Sequence, residues 1–103
     1  MADAETSRVH RRLIVHGRVQ GVGYRAHVAR LARAYPVSGH VRNLSDGTVE
    51  IEVQGPRRIV DQFIEEALTP SWPIHPGGIR RSEDLPVDTK LREFEVLRDQ
   101  ARP

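Results

Sequence analysis

The chain has 103 residues and no Cys, and its 16 Lys and Arg against 14 Asp and Glu leave a formal charge of +2. This length predicts one domain with a single core, and the lack of Cys excludes disulfides, thiolate catalysis and cysteine metal sites. No apolar run approaches the about 20 residues that span a bilayer, and the N-terminal residues lack the apolar region of a signal peptide. The sequence therefore predicts a soluble, cytoplasmic protein.

The charge is unevenly distributed along the chain. Residues 1–42 hold eight Arg and two acidic residues, a net +6, whereas residues 43–103 carry a net −4. The Arg-rich part favours an anionic partner, although a solvated surface of Arg side chains would explain the same composition.

The first predicted elements are a strand and a helix. The apolar run Leu13–Val15 indicates a buried strand that ends near Gly17. From Tyr24 to Tyr35, apolar residues recur at the spacing of one helical face, and Pro36 predicts the end of that helix.

A hairpin and a second helix follow. Residues 37–44 and 48–54 are predicted strands joined through the turn at residues 45–47, and Val and Ile alternate with Glu and Gln in the second strand. This alternation predicts one face toward the core and one toward solvent. Pro56 suits a first helical position, and residues 59–68 carry the apolar stripe of the second helix.

The last part of the chain is less regular. Residues 70–78 carry three Pro and two Gly, which predicts a loop, anchored by Trp72. Residues 79–85 and 91–97 are predicted strands, the second with Phe94 and Val96 on one face.

The predicted order is β-α-β-β-α-β-β, an α+β domain of residues 9–98 in which two helices cover one face of a mainly antiparallel sheet. Residues 1–8 and 99–103 show no periodicity and are expected to be flexible tails. This plan serves enzymes, RNA binders and regulatory domains alike. RNA binding is disfavoured, because the strand at residues 48–54 has no aromatic side chain on which bases could stack.

The segment from Gly17 to Arg25, GRVQGVGYR, connects the first strand to the first helix. Its glycines let the backbone approach a ligand closely, and the helix N-terminus adds unpaired N–H groups and a positive potential. Arg25 can add a planar fork of donors to two phosphate oxygens. The spacing is neither that of a Walker loop nor GxGxxG, so nucleotide binding is disfavoured. Taken alone, the segment is also typical of a tight turn beside a surface Arg.

Residues 15–25, VHGRVQGVGYR, and residues 39–49, GHVRNLSDGTV, together resemble the two signatures of the acylphosphatase family, VxGxVQGVxF/YR and GxVxNxxDGxV. The resemblance covers about residues 9–98 and implies a ferredoxin-like α/β sandwich. It implies hydrolysis of acyl phosphates to a carboxylate and inorganic phosphate, without a metal or cofactor. It also implies catalytic roles for Arg25 in phosphoryl binding and Asn43 in holding the attacking water. The implied phosphate-binding loop comprises Gln20, Gly21, Val22, Gly23, Tyr24 and Arg25.

This chemistry suits the residues. A carboxylate is a good leaving group, so positioning and charge stabilisation can suffice without a strong base. Asn43 cannot take a proton at neutral pH, but its amide oxygen can accept a hydrogen bond from water. A phosphate oxygen of the substrate is then expected to receive the proton, with an acidic side chain as the competing acceptor.

Other interpretations remain open. The main alternative is a module that binds or senses phosphate or carbamoyl phosphate without turnover, since related domains begin hydrogenase-maturation proteins. The five His have no compact ligand spacing, so no metal site is predicted. We expect a monomer without nucleic-acid or membrane partners. Tyr24 is interpreted mainly as a core residue, and Asp46-Gly47 as a turn that orients Asn43.

Overall fold

The structure, a computed structural model, describes residues 7–101. The predicted order of seven elements is confirmed. Neither helix in the described part of the chain has the length and apolar character that a membrane span requires. The elements are β1 (Arg8–Arg18), α1 (Tyr24–Arg33), β2 (Ser38–Asn43), β3 (Val49–Pro56), α2 (Arg57–Ala67), β4 (His75–Leu85) and β5 (Phe94–Val96).

The five strands form one sheet in the order β4-β1-β3-β2-β5. The pairs β1–β3, β1–β4 and β2–β3 are antiparallel, and only the edge strand β5 runs parallel to its neighbour β2. Helix α1 packs on β2 and β5, and α2 packs on β1 and β3. The α+β class and the mainly antiparallel sheet with two covering helices are therefore confirmed.

The core lies between the helices and the sheet. Alternate residues of the central strands point into it, and Val15, Ile51 and Val53 have no exposed surface. Val28 of α1 and Phe63 of α2 close the same core and are equally buried. Burial of such side chains contributes about 1.5–3 kcal/mol each relative to leaving them in water. The period-two and helical patterns thus identified the correct faces.

On the opposite face of the sheet, Glu50 is buried, whereas the alternation predicted that it would face solvent. The Glu50 side chain is only 3% exposed and lies among cations, with His40 Nε2 at 2.6 Å and Arg42 Nη2 at 3.1 Å. Arg12 Nε donates to the same carboxylate at 2.8 Å. A carboxylate this buried needs such partners to offset its lost hydration. Alternation predicts which face a residue occupies but not that neighbouring side chains cover it.

The prediction of a loop over residues 70–78 is wrong for its second half, because β4 begins at His75. Pro76 is tolerated there since β4 is an edge strand, with one side free of sheet hydrogen bonds. Glycine lets β1 and β4 approach each other closely here, because a Cβ on Gly17 would lie 2.2 Å from Gly77 N. Trp72 does not anchor the segment, because its side chain is 81% exposed.

The predicted tails are only partly described. Residues 1–6 and 102–103 lie outside the described residues, so flexibility there stays a prediction, as do the domain limits of residues 9–98. Among the described residues, Arg8 belongs to β1, Asp99 contacts the Arg25 side chain of α1, and Gln100 N donates to the carbonyl oxygen of Asn43 at the end of β2. The order of the chain therefore continues past residue 98.

Gly39 allows β2 to approach β3 where no side chain fits. Its φ is +140°, and a Cβ built there would lie 1.8 Å from Glu52 O. We expect Gly39→Ala to lower the free energy of unfolding by about 3 kcal/mol, since overpacking and backbone strain each cost about 1–3 kcal/mol. Urea denaturation measures this value. Gly47→Ala is the control, because its φ of +92° imposes strain but its Cβ would meet nothing; an equal loss in both variants would contradict the steric argument.

Candidate active site

The segment between β1 and α1 owes its shape to two glycines. Gly21 and Gly23 have φ values of +73° and +84°, and a Cβ on either would meet no atom within 4 Å. The left-handed conformation, not lack of space, therefore requires glycine at both positions. Gly23 is the N-cap of α1 and offers no side chain to the helix terminus.

The backbone N–H groups of this segment remain available to a ligand. From Gln20 to Arg25 they donate to no other group among residues 7–101, and the first bond of the helix runs from His27 N to Gly23 O at 3.0 Å. The first turn of α1 contains no acidic residue that would neutralise the positive end of the helix dipole. Such a terminus favours an anion.

Gln20 ties this segment to the turn between β2 and β3. Its Nε2 donates to Leu44 O at 2.9 Å and to Thr48 O at 2.8 Å. The turn itself is held by Asp46, whose Oδ1 accepts from Thr48 N at 3.0 Å. The hydrogen bond from the Thr48 hydroxyl, together with that from its N–H, lowers the pKa of the Asp46 carboxyl. These bonds confirm the turn role of Asp46 and fix the end of β2 relative to the glycine segment.

Asn43 is the last residue of β2 and pairs with Val49 across the hairpin. It is 9% exposed, and its Oδ1 is buried without a hydrogen-bond partner among residues 7–101. A buried carbonyl oxygen without a partner costs about 1–3 kcal/mol. This atom is therefore suited to accept a hydrogen bond from a small ligand or a water molecule.

Arg25 lies in the first turn of α1, with one third of its side chain exposed. Its Nη1 donates to Leu97 O at 3.2 Å and lies 2.7 Å from Asp99 Oδ1. Both contacts use the same nitrogen. Nη2 and Nε have no protein partner within residues 7–101 and remain available to an anion.

These groups meet in one cleft of about 340 Å³. Five of the predicted site residues line it: Gly21, Gly23, Tyr24, Arg25 and Asn43. Gln20 and Val22 do not line it, and the Gln20 side chain instead bonds the loop to the turn between β2 and β3. Val19, Ala26 and Val96 add apolar surface to the cleft wall.

Tyr24 is a core residue, as its place in the apolar series predicted. Only 1% of it is exposed, and its hydroxyl donates to Ala67 O at 2.6 Å. Burial raises the pKa of the Tyr24 phenol, so it remains a neutral donor. The bond links the start of α1 to the end of α2 and so holds the helix terminus that faces the cleft.

Residues 7–101 contain no group of three or more His, Asp or Glu side chains placed to hold a metal ion. Asp99 does not line the cleft, but its carboxylate is paired with Arg25, which does. Sequence patterns gave no signal for that contact, because Asp99 falls in a segment without periodicity.

Comparison with known proteins supports one family. The acylphosphatase family model matches residues 11–96. An acylphosphatase of Chlorobaculum tepidum is 45% identical in an alignment of length 96 that covers 87% of this chain and 95% of that relative. The crystal structure of acylphosphatase from Bacillus subtilis has a TM-score of 0.80 at 31% identity and covers 86% of this chain and 98% of its own.

A second type of structure is also similar. Full-length HypF in its phosphate- and nucleotide-bound form has a TM-score of 0.78 at 27% identity. The match covers 90% of this chain but only 12% of HypF, so the likeness concerns one part of that larger protein.

The sheet order and the two covering helices define a ferredoxin-like α+β protein, with a cleft at the start of α1. The chain belongs to the acylphosphatase family. It is accordingly a hydrolase with acylphosphatase function, and the predictions of family, fold and enzyme class are confirmed.

Proposed function

We propose that this enzyme hydrolyses acyl phosphates by holding the phosphoryl group between Arg25 and the N–H groups of residues 20–25 while Asn43 orients the attacking water. The observation that carries the proposal is the meeting of three features in one cleft. They are a guanidinium with available donors, a helix N-terminus with available N–H groups, and the unpartnered Oδ1 of Asn43.

The phosphoryl group would be bound mainly by fixed dipoles and one charge. The N–H groups before and within the first turn of α1 can donate to its oxygens without first breaking another hydrogen bond, since they have no backbone partner among residues 7–101. Arg25 adds a charge-assisted contact through Nη2 and Nε, and such contacts are stronger than those between neutral groups. Negative charge that develops on the phosphoryl oxygens in the transition state is stabilised by the same donors.

Water attack would depend on position more than on basicity. Asn43 Oδ1 accepts a hydrogen bond from the water, whose oxygen forms the new bond to phosphorus as the bond from phosphorus to the acyl oxygen breaks. The leaving group departs as a carboxylate, and a phosphoryl oxygen takes the proton of the water. The hairpin bonds through Gln20 and Asp46 support this role, because they hold Asn43 against the phosphate-binding segment.

The likeness to HypF keeps one alternative under test, namely a phosphate- or carbamoyl-phosphate-binding module without turnover. A monomeric state, a cytoplasmic location and the lack of nucleic-acid binding remain predictions of the sequence. Sedimentation analysis and a titration with RNA would examine the first and the last.

The direct test is turnover without metal. Protein treated with EDTA is expected to release phosphate from benzoyl phosphate at the rate of untreated protein, with inorganic phosphate as a competitive inhibitor. Phosphate release measured with and without added Mg²⁺ checks this. A rate that depends on added metal would contradict the mechanism, and phosphate binding without turnover would favour the binding module.

A further inference from the structure

Residues 97–100, here called the C-terminal strap, lie across both proposed catalytic residues. Leu97 N donates to Val41 O at 3.0 Å, and Gln100 N donates to Asn43 O at 2.8 Å. The strap thus continues the pairing of β5 with β2 beyond Val96, up to the residue that carries the proposed water-binding amide.

The pairing contains one extra residue. The two acceptors, Val41 and Asn43, are two positions apart, whereas the two donors, Leu97 and Gln100, are three apart. A regular parallel pair advances equally on both strands, so the strap bulges between its two bonds. Bulges redirect side chains, and the bulged part here includes Asp99, whose carboxylate reaches Arg25.

The strap is fastened on both sides of the bulge. Beyond it, the side chain of Gln100 accepts hydrogen bonds from Ser45 N at 2.9 Å and Ser45 Oγ at 3.1 Å. Before it, Leu97 accepts from Arg25 Nη1 at 3.2 Å. The Asp99 carboxylate is therefore held at one place in the site, although its side chain is 65% exposed.

We propose that Asp99 is a positioning residue that holds the Arg25 guanidinium toward the cleft. It engages Nη1 at 2.7 Å and leaves Nη2 and Nε for the phosphoryl group. An Arg side chain loses much rotamer freedom when it binds a ligand, and a preformed contact removes part of that cost beforehand. The inference rests on the proposed role of Arg25 in phosphate binding.

The opposite role for Asp99 makes an opposite prediction. If its carboxylate instead occupied the place of the phosphate, removing the charge would strengthen phosphate binding. The use of a single guanidinium nitrogen by both Leu97 and Asp99 argues for positioning, because Nη2 and Nε keep their donors without a partner among residues 7–101.

The test compares Asp99→Asn with wild type, using benzoyl phosphate as substrate and inorganic phosphate as inhibitor. We expect Asp99→Asn to raise the inhibition constant of phosphate and to lower kcat/KM by about threefold, the scale of a partly exposed ion pair. Asp99→Glu should recover most of both values. Because salt screens exposed charges, the difference between wild type and Asp99→Asn should shrink at about 1 M NaCl.

Asp84→Asn is the matched control, because Asp84 is 87% exposed and pairs with Arg11, away from the cleft. It should leave both values unchanged. Tighter phosphate binding in Asp99→Asn would overturn the proposal, as would unchanged constants. So would a fall in kcat at constant phosphate affinity with loss of the acidic limb of the pH–rate profile, which would make Asp99 a base. Full activity of Arg25→Ala would instead refute the proposed site itself.

Discussion

Replacing Arg25 with Ala is expected to lower kcat/KM for benzoyl phosphate by about 10²- to 10³-fold, the loss typical of one preorganised donor to developing charge. In the proposed mechanism Arg25 is the charged donor to the phosphoryl group, and the other proposed donors are neutral N–H groups without a backbone partner among residues 7–101. Its removal should also weaken the binding of substrate and of phosphate, so the inhibition constant of phosphate should rise together with KM. Steady-state kinetics at several phosphate concentrations measure both effects.

Two further variants test whether activity depends on where the positive charge lies and on the shape of the group that carries it. Arg30→Ala removes the same charge from the last turn of the same helix, outside the cleft, and should keep nearly full activity. Arg25→Lys keeps the charge but loses the planar fork, so its activity should fall between wild type and Arg25→Ala. Equal losses in Arg25→Ala and Arg30→Ala would show that general electrostatic attraction, not a contact at the site, accounts for the effect.

Local patterns were sufficient for most of the fold. Alternation in residues 48–54 and the helical stripe of residues 59–68 each report on which side of an element meets the core, and the structure buries those sides. They failed at His75, where Pro and Gly in an edge strand resemble a loop, because a strand with one free side tolerates residues that a central strand does not. They failed also at Glu50, whose burial depends on cations from β1 and β2.

The sequence likewise indicated some residues of the candidate site but not the contacts that hold them in place. Arg25 and Asn43 could be singled out as candidates because each lies in a contiguous segment that resembles a signature of the family, and the structure places both at one cleft. Two other contacts depend on how distant segments meet in the folded chain. They are the hydrogen bond from the Gln20 side chain to Leu44 O and the ion pair between Asp99 and Arg25. A single Asp in a segment without periodicity carries no local signal of such a contact. Long-range contacts of this kind form only when the chain folds, and local sequence patterns do not encode them.

Replacing Asn43 with Ala should show whether orientation of the water and binding of the phosphate depend on different residues. The variant is expected to lower kcat by about 10²-fold, the scale of a misplaced reacting group, while KM and the phosphate inhibition constant change little. Arg25→Ala should instead raise both KM and the phosphate inhibition constant, so the two variants should change different kinetic constants. Thermal unfolding should show a folded Asn43→Ala protein, because the change removes a buried oxygen that has no partner within residues 7–101.

The isosteric variant Asn43→Asp examines where the proton goes. It keeps an oxygen acceptor for the water but places a negative charge beside the phosphoryl group, and like charges at short range in a partly buried cleft repel strongly. If a substrate oxygen takes the proton, Asn43→Asp gains no base that the reaction needs and suffers the repulsion, so its kcat/KM should fall at neutral pH. If a side-chain base limits the rate, the added carboxylate should instead retain or increase turnover. In that case the wild-type pH–rate profile should also show an essential carboxylate, which the positioning mechanism does not predict.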